Sequence, residues 1–340
     1  MYRQKEEGGG RKENKERGDD AVGESRDRRD FIRNTGNIMW LARFITAAIG
    51  VPLLFWTIVR PWGTELIVSV FLIPLTIEWT YIRTRIAERL YGLFVNPASK
   101  KDIEIPYFLD NSYERAGDFA HALAIVGSVV YDSDDQHWTQ FSVFVAIVSI
   151  ILYYILSLKS LPRKTTERKF TENIVLWALC SCVLRIFGIL YVPLCMTYLI
   201  LLSRVSPGYT IMMLWSSFQC DTGGLVVGRF FGKRKVITHI SPNKTLEGYF
   251  GGVIVSIGST MLLYSIRERV SILPQDDIMA YLIVGGVAIV GTILGDLFGS
   301  LLKRSAGIKD SGGLFPGHGG ALDRADALLL TAPLVFFSIK

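Results

Sequence analysis

Polar and charged residues fill positions 1–36, and from Met39 onward long apolar runs alternate with short charged connections. The runs are about 20 residues long, enough to cross a hydrocarbon layer of roughly 30 Å as helices. They mostly lack the polar face that recurs at helical period in a water-soluble helix. The pattern predicts an all-α, polytopic integral membrane protein with about nine transmembrane helices. Their expected positions are 39–60, 64–84, 117–132, 138–158, 173–203, 208–229, 248–266, 278–302 and 324–340. The stretch 173–203 is long for one span and short for two. It reads as one, bent near Pro193, because a second span there would move the basic loop Arg229–Lys244 to the other side of the membrane.

Charge sets the expected orientation. The chain carries 37 Lys and Arg against 31 Asp and Glu, a net charge of +6, and the basic residues gather between the apolar runs. The positive-inside bias places the loops 85–116, 159–172, 230–247 and 303–323 in the cytoplasm, and the acidic tip of Asp132, Asp134 and Asp135 outside. In a membrane protein this excess suits anionic lipid and nucleotide, so no nucleic-acid partner is expected. Residues 1–36 mix both signs with glycine, bury too little apolar surface to fold, and form a disordered cytoplasmic tail. Without an apolar core the tail is no signal peptide. Residues 37–340 form one multi-span domain. Cys180, Cys182, Cys195 and Cys220 sit in apolar stretches as small core residues.

Charged residues inside apolar runs are expensive and mark function or pairing. Glu78 would pair with a buried base or face an active cavity. Arg185 would bind a lipid phosphate or pair with an acid such as Glu78. Asp118 and His121 read as interfacial. The densest set runs from Asp296 to Asp326. Asp296 and Ser300, four apart, share a helix face. A Gly- and Pro-rich loop follows with Lys303, Arg304, Lys309, Asp310 and His318, and a second apolar helix opens with Asp323, Arg324 and Asp326. Carboxylates beside a basic, glycine-rich loop are what a metal-bound polyphosphate requires. Upstream, Asp221-Thr222-Gly223-Gly224 and Ser241-Pro242-Asn243-Lys244-Thr245-Leu246-Glu247 form two more charged blocks, the latter also a helix-capping sequence.

The run Ser300-x-Leu302-Lys303-Arg304, Lys309-Asp310, Pro316-x-His318-Gly319-Gly320, Asp323-Arg324-x-Asp326 resembles the signature of phosphatidate cytidylyltransferases, also called CDP-diacylglycerol synthases. The upstream blocks resemble the same family. The departures are Ala325, in place of a larger apolar residue, Leu246, where Trp is frequent, and the lack of an aromatic near Gly224-Leu225. They alter packing positions and leave the charged ones intact.

The resemblance implies that CTP and phosphatidic acid give CDP-diacylglycerol and pyrophosphate at a cytoplasm-facing site. It implies Asp296, Asp323, Lys309 and Ser300 as catalytic groups, and Asp296, Asp323 and Asp221 as ligands of Mg²⁺. Lys244, Lys303, Arg304, His318, Arg324 and Asp310 would bind substrate. A monovalent cation such as K⁺ beside the Mg²⁺ and a homodimer are compatible with it. The host membrane would be a bacterial plasma membrane or a eukaryotic ER or organelle membrane. Two other readings compete. A polyprenol kinase or other CTP-dependent lipid enzyme would need a base to deprotonate a lipid alcohol. A transporter would place its charges at the midplane rather than at one edge.

Overall fold

The structure, a computed structural model, describes residues 49–50, 52–60, 62–94, 111–131, 137–159, 168–314 and 319–339. The tail over 1–36, most of the first expected span, the acidic tip and His318 lie outside them. The chain divides into two units, 1–52 with 316–318 and 53–315 with 319–340. All that follows concerns the second.

Helical residues 53–58 (α1) precede α2 (Gly63–Phe94), α3 (Asn111–Tyr131), α4 (His137–Lys159) and α5 (Arg168–Ile189). A π-helical turn, Leu190–Leu194, joins α5 to α6 (Cys195–Val205). Then come α7 (Pro207–Phe231), a hairpin of β1 (Lys235–Ile237) and β2 (Ser241–Thr245), α8 (Leu246–Ile266), α9 (Ile278–Ser305) and α10 (Leu322–Ser338). Among the described residues five helical runs are long and apolar enough to cross a membrane: Gly63–Leu93, His137–Lys159, Glu172–Val205, Leu246–Arg269 and Ile278–Ser305. The protein is an all-α, multi-pass membrane protein with one small hairpin among its described residues. Helices α3, α7 and α10 are outside that set. Glu114, Arg115 and Asp118 make α3 polar, Asp221 and Arg229 interrupt α7, and α10 has only 17 residues.

Glu172–Val205 is one run, and its irregular turn holds Pro193. Proline has no N–H to donate and its ring crowds the preceding turn, so the helix widens there rather than ending. α2 runs past the expected edge at residue 84, because Ile86 and Ala87 continue its buried stripe. Residues 85–94 and 111–116 are therefore helical rather than connecting loop. α4 shows why the membrane is needed. It buries Thr139, Ala146, Ile150 and Tyr154 at helical spacing, while Phe141, Phe144, Leu152 and Ile155 are each more than half exposed. That outer apolar face would be untenable in water and is at home against acyl chains.

Four charges within α2, α3 and α5 are paired. Arg83 donates to Glu114 at 2.8 Å and to Asp118 at 3.3 Å, while Arg185 bonds Asp118 through Nε and the Glu114 carbonyl at 3.1 Å through an Nη. All four side chains are buried. Two cations and two anions on α2, α3 and α5 thus close a neutral network, which satisfies groups that would be costly alone. Arg185 thus pairs with an acid, one of its two expected roles, and the acid is Asp118 rather than Glu78. One expectation is corrected: Asp118 is a buried member of the network rather than an interfacial group. His121 shares a 2.7 Å hydrogen bond with Ser149.

Candidate functional site

Glycine decides how closely the site-bearing helices approach. A Cβ on Gly252 would come 2.6 Å from the Cys220 carbonyl oxygen, and one on Gly223 2.7 Å from the Val255 Cβ. The Asp221-Thr-Gly-Gly block is thus partly a packing motif that seats α7 on α8. On α9, Gly295 and Gly299 face α10 in the same way, with the Asp326 Cβ 2.7 Å from where a Gly299 Cβ would stand. Close approach through small residues is how membrane helices gain contact.

α9 extends to Ser305, so Lys303 and Arg304 lie on the helix rather than in the loop. Its end is a Schellman motif. Gly307 N donates to the Arg304 carbonyl and Ile308 N to the Lys303 carbonyl, both at 3.0 Å, with Gly307 at φ +73°. Arg89 of α2 donates to the Arg304 and Ser305 carbonyls at 3.2 and 3.1 Å and completes the cap. The chain then turns back through Lys309 and Asp310 toward α10.

The connection between α7 and α8 is a hairpin rather than the expected loop. It pairs Lys235 with Thr245 and Ile237 with Ser241 in antiparallel register. The capping role expected of its end is present: Thr245 Oγ1 accepts from Gly248 N at 3.2 Å. Glu247 accepts from Lys233 N and Arg234 N at 3.0 and 3.1 Å and ties the hairpin base to α8. Arg304 Nε donates to the Ile240 carbonyl at 3.2 Å, which brings the hairpin turn to the end of α9.

These elements enclose a cleft of about 580 Å³. Asp221, Lys244, Asp296, Lys303, Asp310, Asp323 and Arg324 all line it, together with Asp326. Lys244 pairs with Asp296. Lys303 Nζ donates to Asp323 Oδ1 at 2.7 Å and to Asp326 Oδ2 at 3.4 Å. Asp323 Oδ2 accepts from Ser311 N and Gly320 N, both at 2.9 Å. Gly319 serves this arrangement at φ +83°, and a Cβ there would come 2.8 Å from Asp323 Oδ2. Burial lowers the Lys244 ammonium below the ordinary lysine value, opposed by the Asp221 and Asp326 carboxylates.

Not every expected residue joins the cleft. Ser300 is half-buried on α9, Arg304 bonds the hairpin, and Lys309 is exposed; none of the three lines it. Asp326, outside the expected ligand set, joins the cleft as well. Its spacing of three from Asp323 places both on one face of α10, and that spacing was a usable signal. Glu78 departs from its expected pairing with a base. Its donors among the described residues are Ser311 Oγ, Ala321 N and Leu322 N, at 2.7, 2.9 and 2.8 Å, rather than a base. No local signal predicts partners so far along the chain.

The donor set has the right chemistry for a hard divalent cation, since five carboxylates line the cleft. Among the described residues, however, no three acid, histidine or cysteine side chains converge into a ready-made metal cage. Lysines occupy three of the carboxylates instead, those of Asp296, Asp323 and Asp326. What the arrangement offers chemically is a set of exchangeable ion pairs. An incoming polyphosphate can take Lys244 and Lys303, and a cation can take the acids they release.

Residues 41–340 match the model of the Cytidylyltransferase family. A phosphatidate cytidylyltransferase of Bacillus subtilis is 38% identical over 154 residues, 44% of this chain and 54% of its own length. That of Haemophilus influenzae is 37% identical over 130 residues, 38% of this chain and 43% of its own. That of Aquifex aeolicus is 35% identical over 160 residues, 47% of this chain and 58% of its own. The matched stretches thus span about half the length of these curated relatives.

Proposed function

Because the chain belongs to the cytidylyltransferase family, we propose that it transfers CMP from CTP to phosphatidic acid, giving CDP-diacylglycerol and pyrophosphate. The observation that carries this reading is the cleft itself, where two lysines and four aspartates from α7, β2, α9 and α10 meet. In the proposed reaction a phosphate oxygen of the lipid attacks the α-phosphorus of CTP, and the bond to the bridging oxygen of pyrophosphate breaks. The attacking oxygen is already anionic near neutral pH, so no strong base is required. The obstacle is charge, since two polyanions must approach.

Lys244 and Lys303 are the groups to meet that charge. Each is held in the cleft by a carboxylate and can move to a phosphate oxygen without first being ordered. Arg324, which also lines the cleft, would make a further phosphate contact. Asp296, Asp323 and Asp221 would hold Mg²⁺, with a monovalent cation such as K⁺ beside it. When bound, the divalent ion would neutralise phosphate charge and help align the attack. The Cys220 and Tyr249 side chains and the glycines of α7 and α8 narrow the cleft around whatever binds.

The finer architecture belongs to the same proposal: nine spans, a cleft facing the cytoplasm and phosphatidic acid arriving from the bilayer. The clustering of Lys233, Arg234, Lys235, Lys303 and Arg304 at one end of the helices supports that facing. The test is an assay of purified protein in vesicles with labelled CTP and phosphatidic acid, with and without a chelator. CDP-diacylglycerol should form and chelation should stop it. Turnover of CTP only with a lipid alcohol would overturn the assignment.

A further inference from the structure

Glu78 sits in α2 and is buried, yet its donors lie more than 230 residues away in the chain. Oε2 accepts from Ser311 Oγ at 2.7 Å and from Leu322 N at 2.8 Å, and Oε1 accepts from Ala321 N at 2.9 Å. Asp323 grips the same two segments from the other side, through Ser311 N and Gly320 N. Two carboxylates from different helices therefore hold Ser311 and residues 320–322 together.

The start of α10 depends on this. Ala321 is its N-cap and supplies no side-chain bond, so the cap comes from Glu78. A carboxylate facing freed N–H groups at a helix start gains charge-assisted hydrogen bonds and a favourable backbone dipole. Among the described residues none of its donors is a basic side chain, so its burial is sustained by these neutral donors. The fit leaves no slack. A Cβ on Gly312 would come 2.5 Å from Oε1, and one on Gly320 would collide with Oε2 and with Ser311 Oγ.

We propose that Glu78 is a positioning residue for the transfer reaction: it clasps Ser311 to the first turn of α10 and so fixes Asp323 against Lys303 in the cleft. It acts through that turn and does not itself touch substrate. The proposal rests on the cytidylyl-transfer reading above, and its test has one arm that does not.

The first arm measures hydrogen exchange in the ligand-free protein. Glu78→Gln replaces one acceptor oxygen by an NH₂ group, which cannot accept from a backbone N–H. Exchange over 311–314 and 320–322 should quicken about tenfold or more while the amides of α9 stay protected. The second arm measures steady-state kinetics with CTP and phosphatidic acid. The kcat of Glu78→Gln should fall about tenfold or more with KM for both substrates little changed, and Glu78→Asp should recover part of the rate. A merely structural loss would reduce the amount of folded protein and leave kcat per folded molecule intact. Should Glu78→Gln not fold, Ser311→Ala and Gly320→Ala weaken the same clasp and should shift both readouts in the same direction, less far. Unchanged exchange in these variants overturns the clasp, and faster exchange with an unchanged kcat overturns its role in positioning. A wild-type protein inactive on this substrate pair strikes the functional reading, while the exchange arm still decides the clasp.

Discussion

Lys303 stands between two carboxylates one helical turn apart, and that placement gives each of the three a double duty. Asp323 and Asp326 share a face of α10 and would repel each other in a shielded site; the ammonium between them cancels that repulsion. Asp323 also anchors Ser311 N and Gly320 N, so it organises the loop whether or not a cation is bound. Among the described residues Asp296 pairs with one lysine, and its removal frees Lys244. On the proposed reading, Asp296→Asn and Asp323→Asn each lower the initial rate by at least roughly a hundredfold. The double variant should be little worse than either single one, because groups that serve one bound cation are not additive. The comparison to make is rate against Mg²⁺ concentration for the three variants. Near-wild-type rates for either single variant remove that residue from the cation site. Asp323→Asn should in addition quicken exchange at the 320–322 amides, which Asp296→Asn should not.

Elements carry the next level of argument, because the site is assembled from pieces that pack through glycine and are closed by buried ion pairs elsewhere. Arg83, Glu114, Asp118 and Arg185 balance one another across α2, α3 and α5. Removing one member strands a buried opposite charge, a loss of about 3–5 kcal/mol in such settings. Asp118→Asn should therefore lower the thermal unfolding midpoint in detergent by several degrees or more, with the folded fraction keeping its specific activity. An unchanged midpoint would show the network to be energetically idle. These pairings mark where sequence reading ends. Apolar length and charged borders identify helices from α2 to α10, and the Asp221, Lys244, Asp296 and Asp323 blocks lie in one cleft as their motifs imply. The partner of Arg185 lies 67 positions away and the donors of Glu78 more than 230, so only tertiary packing selects them. The hairpin was hidden for a related reason. Its strands are only three and five residues long, with burial patterns that do not alternate, and Glu247 and Arg304 hold it in place more than any β-propensity.

At the scale of the molecule, the proposed reaction needs one membrane face to receive both a water-soluble nucleotide and a lipid. The contacts that build the cleft make this a geometric requirement. Lys244 of the hairpin pairs with Asp296 of α9, and Arg304 at the end of α9 bonds the hairpin turn at Ile240. The loops over 230–247 and 303–323 therefore emerge on the same side, whatever the number of spans before them. The basic residues of both loops favour the cytoplasm, since positive charge near the ends of membrane helices resists export. His239 and Lys309 are exposed, lie one in each loop and line no part of the cleft, so each can be replaced by cysteine without disturbing the ion pairs. A membrane-impermeant maleimide added to sealed, right-side-out vesicles should label neither His239→Cys nor Lys309→Cys, and opening the vesicles should label both. Labelling of both in sealed vesicles would keep the single cleft and reverse its facing. Labelling of one alone would place the hairpin and the α9–α10 loop on opposite sides, and a cleft shared by Lys244 and Asp296 could not then exist.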